Sequence, residues 1–346
     1  MRTTIIWLAD LLSKSTSNIY TIPMLQISLA EPGFFVATAV AEPKLTAGQA
    51  LVRIRRIGVC GSDLHAFAGR QPFFEYPRVL GHELGVEILE LPPGERTLKV
   101  GDRCAVEPYL NCGVCHSCSR GKPNCCERLQ VLGIHTDGGM CERLAVPIER
   151  LFASATLGFD QLALVETLSI GQHAVERAAI EPGQQILIVG AGPIGLAVVQ
   201  FAMAAGAEVT VLEPNAGRRE FVERFGAQAT ADVEGKLFEI VFDATGNAAA
   251  MEQSFERVNF GGKLVLVGLV QGKISFNDPL FHRREMTVLS SRNSANAFPA
   301  IMADIEAGRI DTAPWITHRL SLAEVPTEFP GLPKQPGLIK AMIDVE

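Results

Sequence analysis

The chain has 346 residues, of which 47% are hydrophobic and 20% charged, and its net charge is −7 at pH 7. At roughly 150 residues per domain this is a globular protein of about two domains, not a disordered chain. The acidic balance argues against nucleic acid or an anionic membrane as the main partner, and 8 cysteines are too sparse for a disulfide-built scaffold.

Residues 1–23 read as an N-terminal extension. Its short apolar patch is broken by Asp10 and is not followed by a small-residue cleavage site, so no export signal is expected. A cytoplasmic protein with reduced thiols is the expectation. From Met24 onward, short β-like runs alternate with Gly and Pro: Leu25–Ser28, Ala50–Ile54, Gly85–Leu89, Arg103–Val106 and Arg143–Val146. That texture predicts an irregular β domain.

Two groups of metal-ligating residues lie in this region. Cys60 opens the run Cys60-Gly61-Ser62-Asp63-Leu64-His65, and His82 stands in Gly81-His82-Glu83. Both are ligands of the kind zinc takes, and a catalytic zinc needs three protein ligands and one open position. Glu166 is the one acid in the apolar run Leu162–Ile170. An unpaired buried carboxylate is costly, so Glu166 wants a cation and is the third candidate. Asp63 and Glu83 adjoin the ligands and read as groups that orient them.

The second group is Cys112, Cys115 and Cys118, spaced C-x2-C-x2-C, followed by Cys126, with turns at Gly113, Gly121 and Pro123. Four thiolates on one loop enclose a tetrahedral Zn(II) with no open position, which is a structural site. An iron–sulfur cluster is the rival, and Cys125 competes with Cys126 on spacing alone.

Beyond residue 170 the texture changes. Gln185–Gly190 reads as a strand, Ile194–Ala205 as a helix and Glu208–Leu212 as a strand. Ala216–Phe225 reads as a helix closed by Gly226, and Glu239–Asp243 and Lys263–Gly268 as further strands. This βαβ alternation predicts a parallel, doubly wound sheet. The apolar run Ile186–Ala207 is long enough for a membrane span, but Gly190, Gly192, Pro193, Gly195 and Gly206 divide it into strand, turn and helix. No span is expected.

Gly190-Ala191-Gly192-Pro193-Ile194-Gly195 sits between that strand and helix as a dinucleotide fingerprint. Gly190 makes the tight turn, Gly192 lets a pyrophosphate approach, and Gly195 lets helix and strand pack closely. Free N–H groups at the helix start attract phosphate. Glu213 ends the next strand, where a carboxylate accepts from ribose hydroxyls and repels a 2′-phosphate, favouring NAD over NADP. Arg218 and Arg219 nearby weaken that preference. Residues 312–346 return to short β runs with Pro314, Pro326, Pro330, Pro333 and Pro336, and are expected to pack back on the first domain.

Gly81-His82-Glu83, the four-cysteine loop, Asp137-Gly138-Gly139 and Gly190–Gly195 follow the order found in zinc-dependent medium-chain alcohol and polyol dehydrogenases. Residues 24–346 resemble that family. The resemblance implies an α/β protein in which a Rossmann doubly wound parallel sheet is inserted in a chaperonin-10-like irregular β catalytic domain. The implied division is a catalytic domain 24–168, an NAD-binding domain 169–311 and a C-terminal return 312–346, assembled as a homodimer or homotetramer.

The resemblance also implies two Zn2+ ions. Cys60, His82 and Glu166 would hold the catalytic ion, and Cys112, Cys115, Cys118 and Cys126 the structural one. NAD would lie on Gly190, Gly192, Pro193, Ile194, Gly195, Glu213 and Arg218. Ser62 and His65 resemble the relay that takes an alcohol proton to solvent, with Glu83 beside them.

An acid in Glu166-Thr167-Leu168-Ser169 resembles polyol, sugar-acid and threonine dehydrogenases, whereas simple alcohol dehydrogenases carry Cys there; Thr167 departs from the usual Pro. Arg292, in Ser290-Ser291-Arg292-Asn293 after the strand-like Met286–Leu289, resembles the substrate-contacting Arg of polyol dehydrogenases. The pattern from Phe73 to His82 resembles the sugar-acid branch, such as L-galactonate-type 5-dehydrogenases. The expected function is NAD-dependent, zinc-dependent oxidation of a secondary alcohol of a polyol or sugar acid to the ketone. Threonine or a short-chain secondary alcohol or diol is the alternative substrate. A non-catalytic NAD-binding zinc sensor is the alternative of another class, and the intact set Cys60, Ser62, His65, His82 and Glu166 argues against it because a sensor needs no relay.

Overall fold

The computed structural model describes residues 23–71 and 74–346. The expected N-terminal extension up to residue 22, and Phe73 in the segment likened to the sugar-acid branch, lie outside the described residues. The first elements are β1 (Met24–Glu31) and β2 (Phe34–Val40), an antiparallel hairpin turned at Gly33 with φ of +80°. β3 (Gln49–Gly58) runs into helix α1 (Gly61–Phe67), and β4 (Glu83–Glu90) and β5 (Arg103–Val106) follow. A small lobe comes next. It contains β6 (Tyr109–Leu110), the short helix α2 (His116–Ser119) and β7 (Gln130–Val131), with β6 and β7 paired. β8 (Arg143–Pro147) and β9 (Leu151–Ser154) return to the main sheet.

Helix α3 (Phe159–Ala178) leads to the second domain, whose elements alternate. They are β10 (Gln185–Val189), α4 (Pro193–Ala204), β11 (Glu208–Leu212), α5 (Ala216–Glu223), β12 (Gln228–Thr230), β13 (Phe238–Asp243), α6 (Ala248–Ser254), β14 (Val258–Leu266), α7 (Asp278–Arg283), β15 (Thr287–Ser290) and α8 (Phe298–Glu306). Six parallel strands stand in the order β12-β11-β10-β13-β14-β15. Ile186, Leu187 and Ile188 of β10 are wholly buried, as a central parallel strand covered on both faces requires. The strand order reverses at β10, so a crevice opens at the carboxyl ends of β10 and β13.

β16 (Ile316–Ser321), the short helix α9 (Val325–Glu328) and β17 (Lys340–Asp344) then rejoin the first domain. β17 pairs antiparallel with β3, Met342 opposite Gly58 and Ile343 opposite Ile57. The completed sheet runs β16-β17-β3-β4-β5-β9, with β8 also on β3.

Several expected boundaries shift. Position 168/169, read as a domain boundary, falls inside α3, one continuous helix packed both on β4 and β5 and on α4. Gly171 allows this double contact, because a Cβ there would stand 2.5 Å from the Ala197 Cβ. The expected strand Lys263–Gly268 begins earlier, at Val258, and bends where Gly261 has a φ of +71°. The helix expected to reach Phe225 ends at Glu223, before Gly226 at φ +85°.

Candidate active site

At the end of β3 the chain turns through Cys60, which caps α1 in an extended conformation (φ −89°, ψ 156°). Asp63 Oδ2 accepts the Cys60 amide at 2.9 Å, and Asp63 Oδ1 lies 3.7 Å from His82 Nδ1. One buried carboxylate therefore holds the Cys60 amide and stands beside the His82 ring. His82 follows Gly81, whose φ is +95° and where a Cβ would meet Ile57 at 2.9 Å. The sulfur of Cys60, a ring nitrogen of His82 and a carboxylate oxygen of Glu83 all lie within 4.8 Å of one another.

Glu83 is bound by a residue that the sequence reading missed. Lys340 Nζ, on β17, donates to both Glu83 oxygens at 2.5 and 2.6 Å, to Thr167 Oγ1 at 3.1 Å and to the Val59 carbonyl at 3.3 Å. Thr167 thus uses its hydroxyl where the resemblance expects a Pro. Gly58 makes room, since a Cβ there would stand 2.0 Å from a Glu83 oxygen. Burial opposes the Lys340 charge, but Glu83 outweighs it and the ammonium pKa is raised. The available signal was a lysine in the otherwise apolar run Leu338–Ile343, since a buried charge needs a partner.

Glu166, expected as the third ligand, lies on α3 and accepts a hydrogen bond from the Tyr109 hydroxyl. The oxygen that joins Cys60 and His82 here is that of Glu83. Burial raises the Glu166 pKa against the attraction of His82. Burial likewise disfavours charge on His82, yet Asp63 and Cys60 hold its pKa well above the ordinary value. His82 Nδ1 has no hydrogen-bond partner. One thiol, one imidazole and buried acids, with an anionic field around them, suit a divalent cation such as zinc.

Ser62 Oγ lies 3.5 Å from His82 Nε2. His65 stands three residues further along α1, so the two share a helix face, and His65 is exposed. Burial and the Arg70 charge lower its pKa.

The thiols of Cys112, Cys115, Cys118 and Cys126 converge within 4.8 Å, while Cys125 is exposed in the turn Pro123–Cys125. The amides of Cys112 and Arg128 each donate to Cys126 Sγ at 3.3 Å. Hydrogen bonding, first from the Val114 amide, pulls the Cys112 pKa down to about 6. The Cys118 amide lowers Cys115 in the same way. Cys126 is bonded by the Cys112 amide but is raised overall, because burial and the thiols of Cys112 and Cys118 outweigh that bond. Four crowded thiolates repel one another, and the single charge of Arg128 beside Cys112 offsets this only in part, so this donor set also fits a dication.

In the second domain Gly190 turns at φ +98°, and a Cβ on Gly195 would stand 2.0 Å from the Gly190 carbonyl. Gly192 caps α4 and has open space where its Cβ would be; Pro193 and Ile194 begin the helix. Free N–H groups at such a helix start attract phosphate. Glu213 is buried, its Oε2 accepting from the Ala191 amide and its Oε1 from the Asn215 amide, both at 2.9 Å. Each oxygen keeps a lone pair for a ribose hydroxyl. Arg219 is occupied with the carbonyls of Glu213 and Pro214, at 2.9 and 2.8 Å, whereas Arg218 is partly exposed in the first turn of α5. Arg292 is exposed just past β15.

No described helix is long and apolar enough to cross a membrane. Residues 46–156 match the alcohol dehydrogenase GroES-like domain, and residues 193–307 the zinc-binding dehydrogenase domain. L-galactonate-5-dehydrogenase of Escherichia coli (strain K12) is 42% identical over 289 residues, covering 80% of this chain and 85% of that protein. A solved alcohol dehydrogenase (rspB) from E. coli CFT073, complexed with NADH, aligns with a TM-score of 0.88 at 27% identity, covering 93% of this chain and 99% of that one. A putative zinc-binding dehydrogenase from Sinorhizobium meliloti 1021, bound to NADP, aligns at 0.86 with 29% identity over the same shares, 93% and 99%. Two clusters of Cys, His and acidic side chains, a glycine-rich strand–helix turn, two matched domains and this degree of identity lead to one assignment: the chain belongs to the zinc-type medium-chain alcohol dehydrogenase family.

Proposed function

We propose that the protein oxidises a secondary alcohol of a polyol or sugar acid to the ketone, using NAD. The observation that carries this reading is the acid-rich pocket: Cys60 and His82 are accompanied by two buried carboxylates, Glu83 and Glu166. An oxygen-rich ligand shell suits a substrate that offers several oxygens. The 42% identity to an L-galactonate-5-dehydrogenase supports the sugar-acid side of it.

The bound groups supply what side chains lack, Zn(II) as a Lewis acid that lowers an alcohol pKa and nicotinamide as a hydride acceptor. Cys60, His82 and one of the two acids would hold the catalytic ion, and the four-cysteine lobe the structural one. Ser62 stands beside His82, where it accepts the alcohol proton and passes it to His65. The lowered pKa keeps the His65 ring neutral at pH 7 and ready to take that proton, and its exposure lets the proton leave to water. Glu213 accepts ribose hydroxyls while bracing the glycine turn, and its charge repels a 2′-phosphate. A homodimer or homotetramer is part of this reading. The free edge of β15, with Val288 exposed, supports it, and sedimentation measures it.

One NAD-reduction screen tests the proposal, with ethanol, threonine, 2,3-butanediol, sorbitol, galactitol and several aldonates, repeated with NADP. Turnover of polyols or aldonates with NAD, and little of ethanol, is the expected result. Turnover confined to threonine or short alcohols, or NADP used at least as well, would overturn it.

A further inference from the structure

One buried side chain of the cysteine lobe reaches the nucleotide domain. Asn124 lies in the turn Pro123–Cys125, just before Cys126. Its Nδ2 donates to the Arg292 carbonyl at 2.9 Å, across 168 residues, and stands 3.2 Å from His173 Nε2 on α3. A carbonyl only accepts, so the Arg292 contact fixes which end of the Asn124 amide is the nitrogen. Its second N–H then goes to His173 Nε2. Burial and the Arg177 charge lower the His173 pKa, which favours the neutral ring that accepts it. One helical turn further along α3, Arg177 Nε donates to the Ser290 carbonyl at 3.2 Å.

The segment held in this way, Ser290–Asn293, lies at the carboxyl ends of the parallel strands. The Ser291 amide donates to Leu266 at the end of β14, and the Val267 and Gly268 amides to Asp243 at the end of β13, all at 2.9 Å. The Ala244 amide donates to Val189 at the end of β10, at 3.0 Å, beside the Gly190 turn. A row of backbone contacts thus runs from Arg292 to the glycine turn, along the edge where a dinucleotide binds. The segment does not hold itself. Asn293 and Asn296 stand in the left-handed region, at φ +48° and +54°, which persists only where the surroundings impose it. The Ser291 and Ser294 hydroxyls are buried with no hydrogen-bond partner among the described residues. Beyond the Ser291 amide, the hold comes from Asn124 and Arg177.

We propose that Asn124 is a positioning residue for the nicotinamide cofactor: it fixes the Ser290–Asn293 backbone at the nucleotide crevice, so that the folded cysteine lobe and the bound cofactor strengthen each other. This rests on the functional reading for the cofactor alone. The lobe takes its shape from its four thiols and the ion they fit, and Asn124, inside that loop, is in place only when the lobe is folded. A coupling between two sites is reciprocal, so the cofactor tightens the lobe's hold on its ion by the factor that the lobe tightens the cofactor. One hydrogen bond between neutral groups corresponds to a factor of about 2–10.

The test uses the full zinc-loaded chain, with elemental analysis confirming two zinc ions in each variant compared. In Asn124→Ala, hydrogen exchange should quicken across residues 287–296, and the NADH dissociation constant read by fluorescence should rise by about 2–10-fold. Asn124→Asp sets a carboxylate against the Arg292 carbonyl and should lose more. His173→Leu, outside the lobe, covers the case in which Asn124 variants fail to fold; it should lose less, and His173→Gln, which keeps an acceptor, should recover part of that loss. The reciprocal arm uses His82→Ala, which keeps only the lobe ion. Saturating NADH should raise its zinc affinity against a chromophoric chelator by the same factor, and adding Asn124→Ala should abolish the gain. Unchanged exchange at 287–296, or a lobe ion indifferent to NADH, overturns the proposal. NADH bound equally by wild type and variants sinks this proposal alone, whereas a wild-type chain that binds no nicotinamide cofactor sinks the functional reading with it.

Discussion

The molecule has two clusters of metal-ligating side chains, built in opposite ways. The lobe takes four thiols from a single stretch between β6 and β7, and its own turns and amides shape them. The pocket takes Cys60 from the end of β3, His82 and Glu83 from the start of β4, Glu166 from α3 and Lys340 from β17. Its charges are buried and balanced against one another: Asp63 with His82, and Glu83 with Lys340. The lobe is therefore a local unit whose loss is a loss of structure. The pocket is a product of the whole packing, and its groups can be changed singly while the sheets persist. Tyr109 joins the two. It packs with Cys126, Leu129 and Val131 in the lobe, and its hydroxyl reaches Glu166 in the pocket.

The sharpest break of this contrast is a pair of single substitutions. Cys115→Ala should strip the lobe of its ion and destabilise it severely, since apparent zinc binding in small structural sites amounts to ~10–16 kcal/mol. Elemental analysis should read one zinc instead of two per chain, and limited proteolysis should cut between β6 and β7. His82→Ala should also read one zinc, but with a smaller fall in melting temperature than Cys115→Ala and kcat/KM down by about 10³-fold or more, equivalent to the several kcal/mol that a Lewis acid supplies. If both variants melted alike, the division into a local and a distributed site would be wrong.

A smaller effect tests whether the pocket is charge-balanced by its own residues. Lys340→Met leaves Glu83 buried and unpaired, which costs about 3–5 kcal/mol. Adding Glu83→Gln should recover part of that loss in denaturant titration, because the uncompensated charge is then gone. A double variant no more stable than Lys340→Met would show that the two groups are not coupled.

The smallest expected change concerns the bridge. Tyr109→Phe removes one hydroxyl from Glu166 and should cost about 1 kcal/mol in denaturant titration. Both zinc ions should remain, and the visible spectrum of the cobalt-substituted pocket should shift while that of the lobe does not. An unchanged pocket spectrum would mean that Tyr109 only fills space.

Much of this architecture was legible because its signals are local. Strands Arg103–Val106 and Glu208–Leu212 have the bounds that their β-branched and apolar runs predict. Gly190, Gly192 and Gly195 announce a turn that other side chains would block, and cysteines on one loop announce a cluster through spacing alone. The pairings that complete the pocket were not legible in this way. Lys340 meets Glu83 across 257 residues and Thr167 across 173, and Tyr109 meets Glu166 across 57. The choice of Glu83 as the oxygen beside Cys60 and His82 depends on β17 closing against β3, and the path of α3 through the expected domain boundary depends on Gly171 fitting α4. A buried charge in a sequence states that it needs a partner; only the packed sheets decide which one it meets.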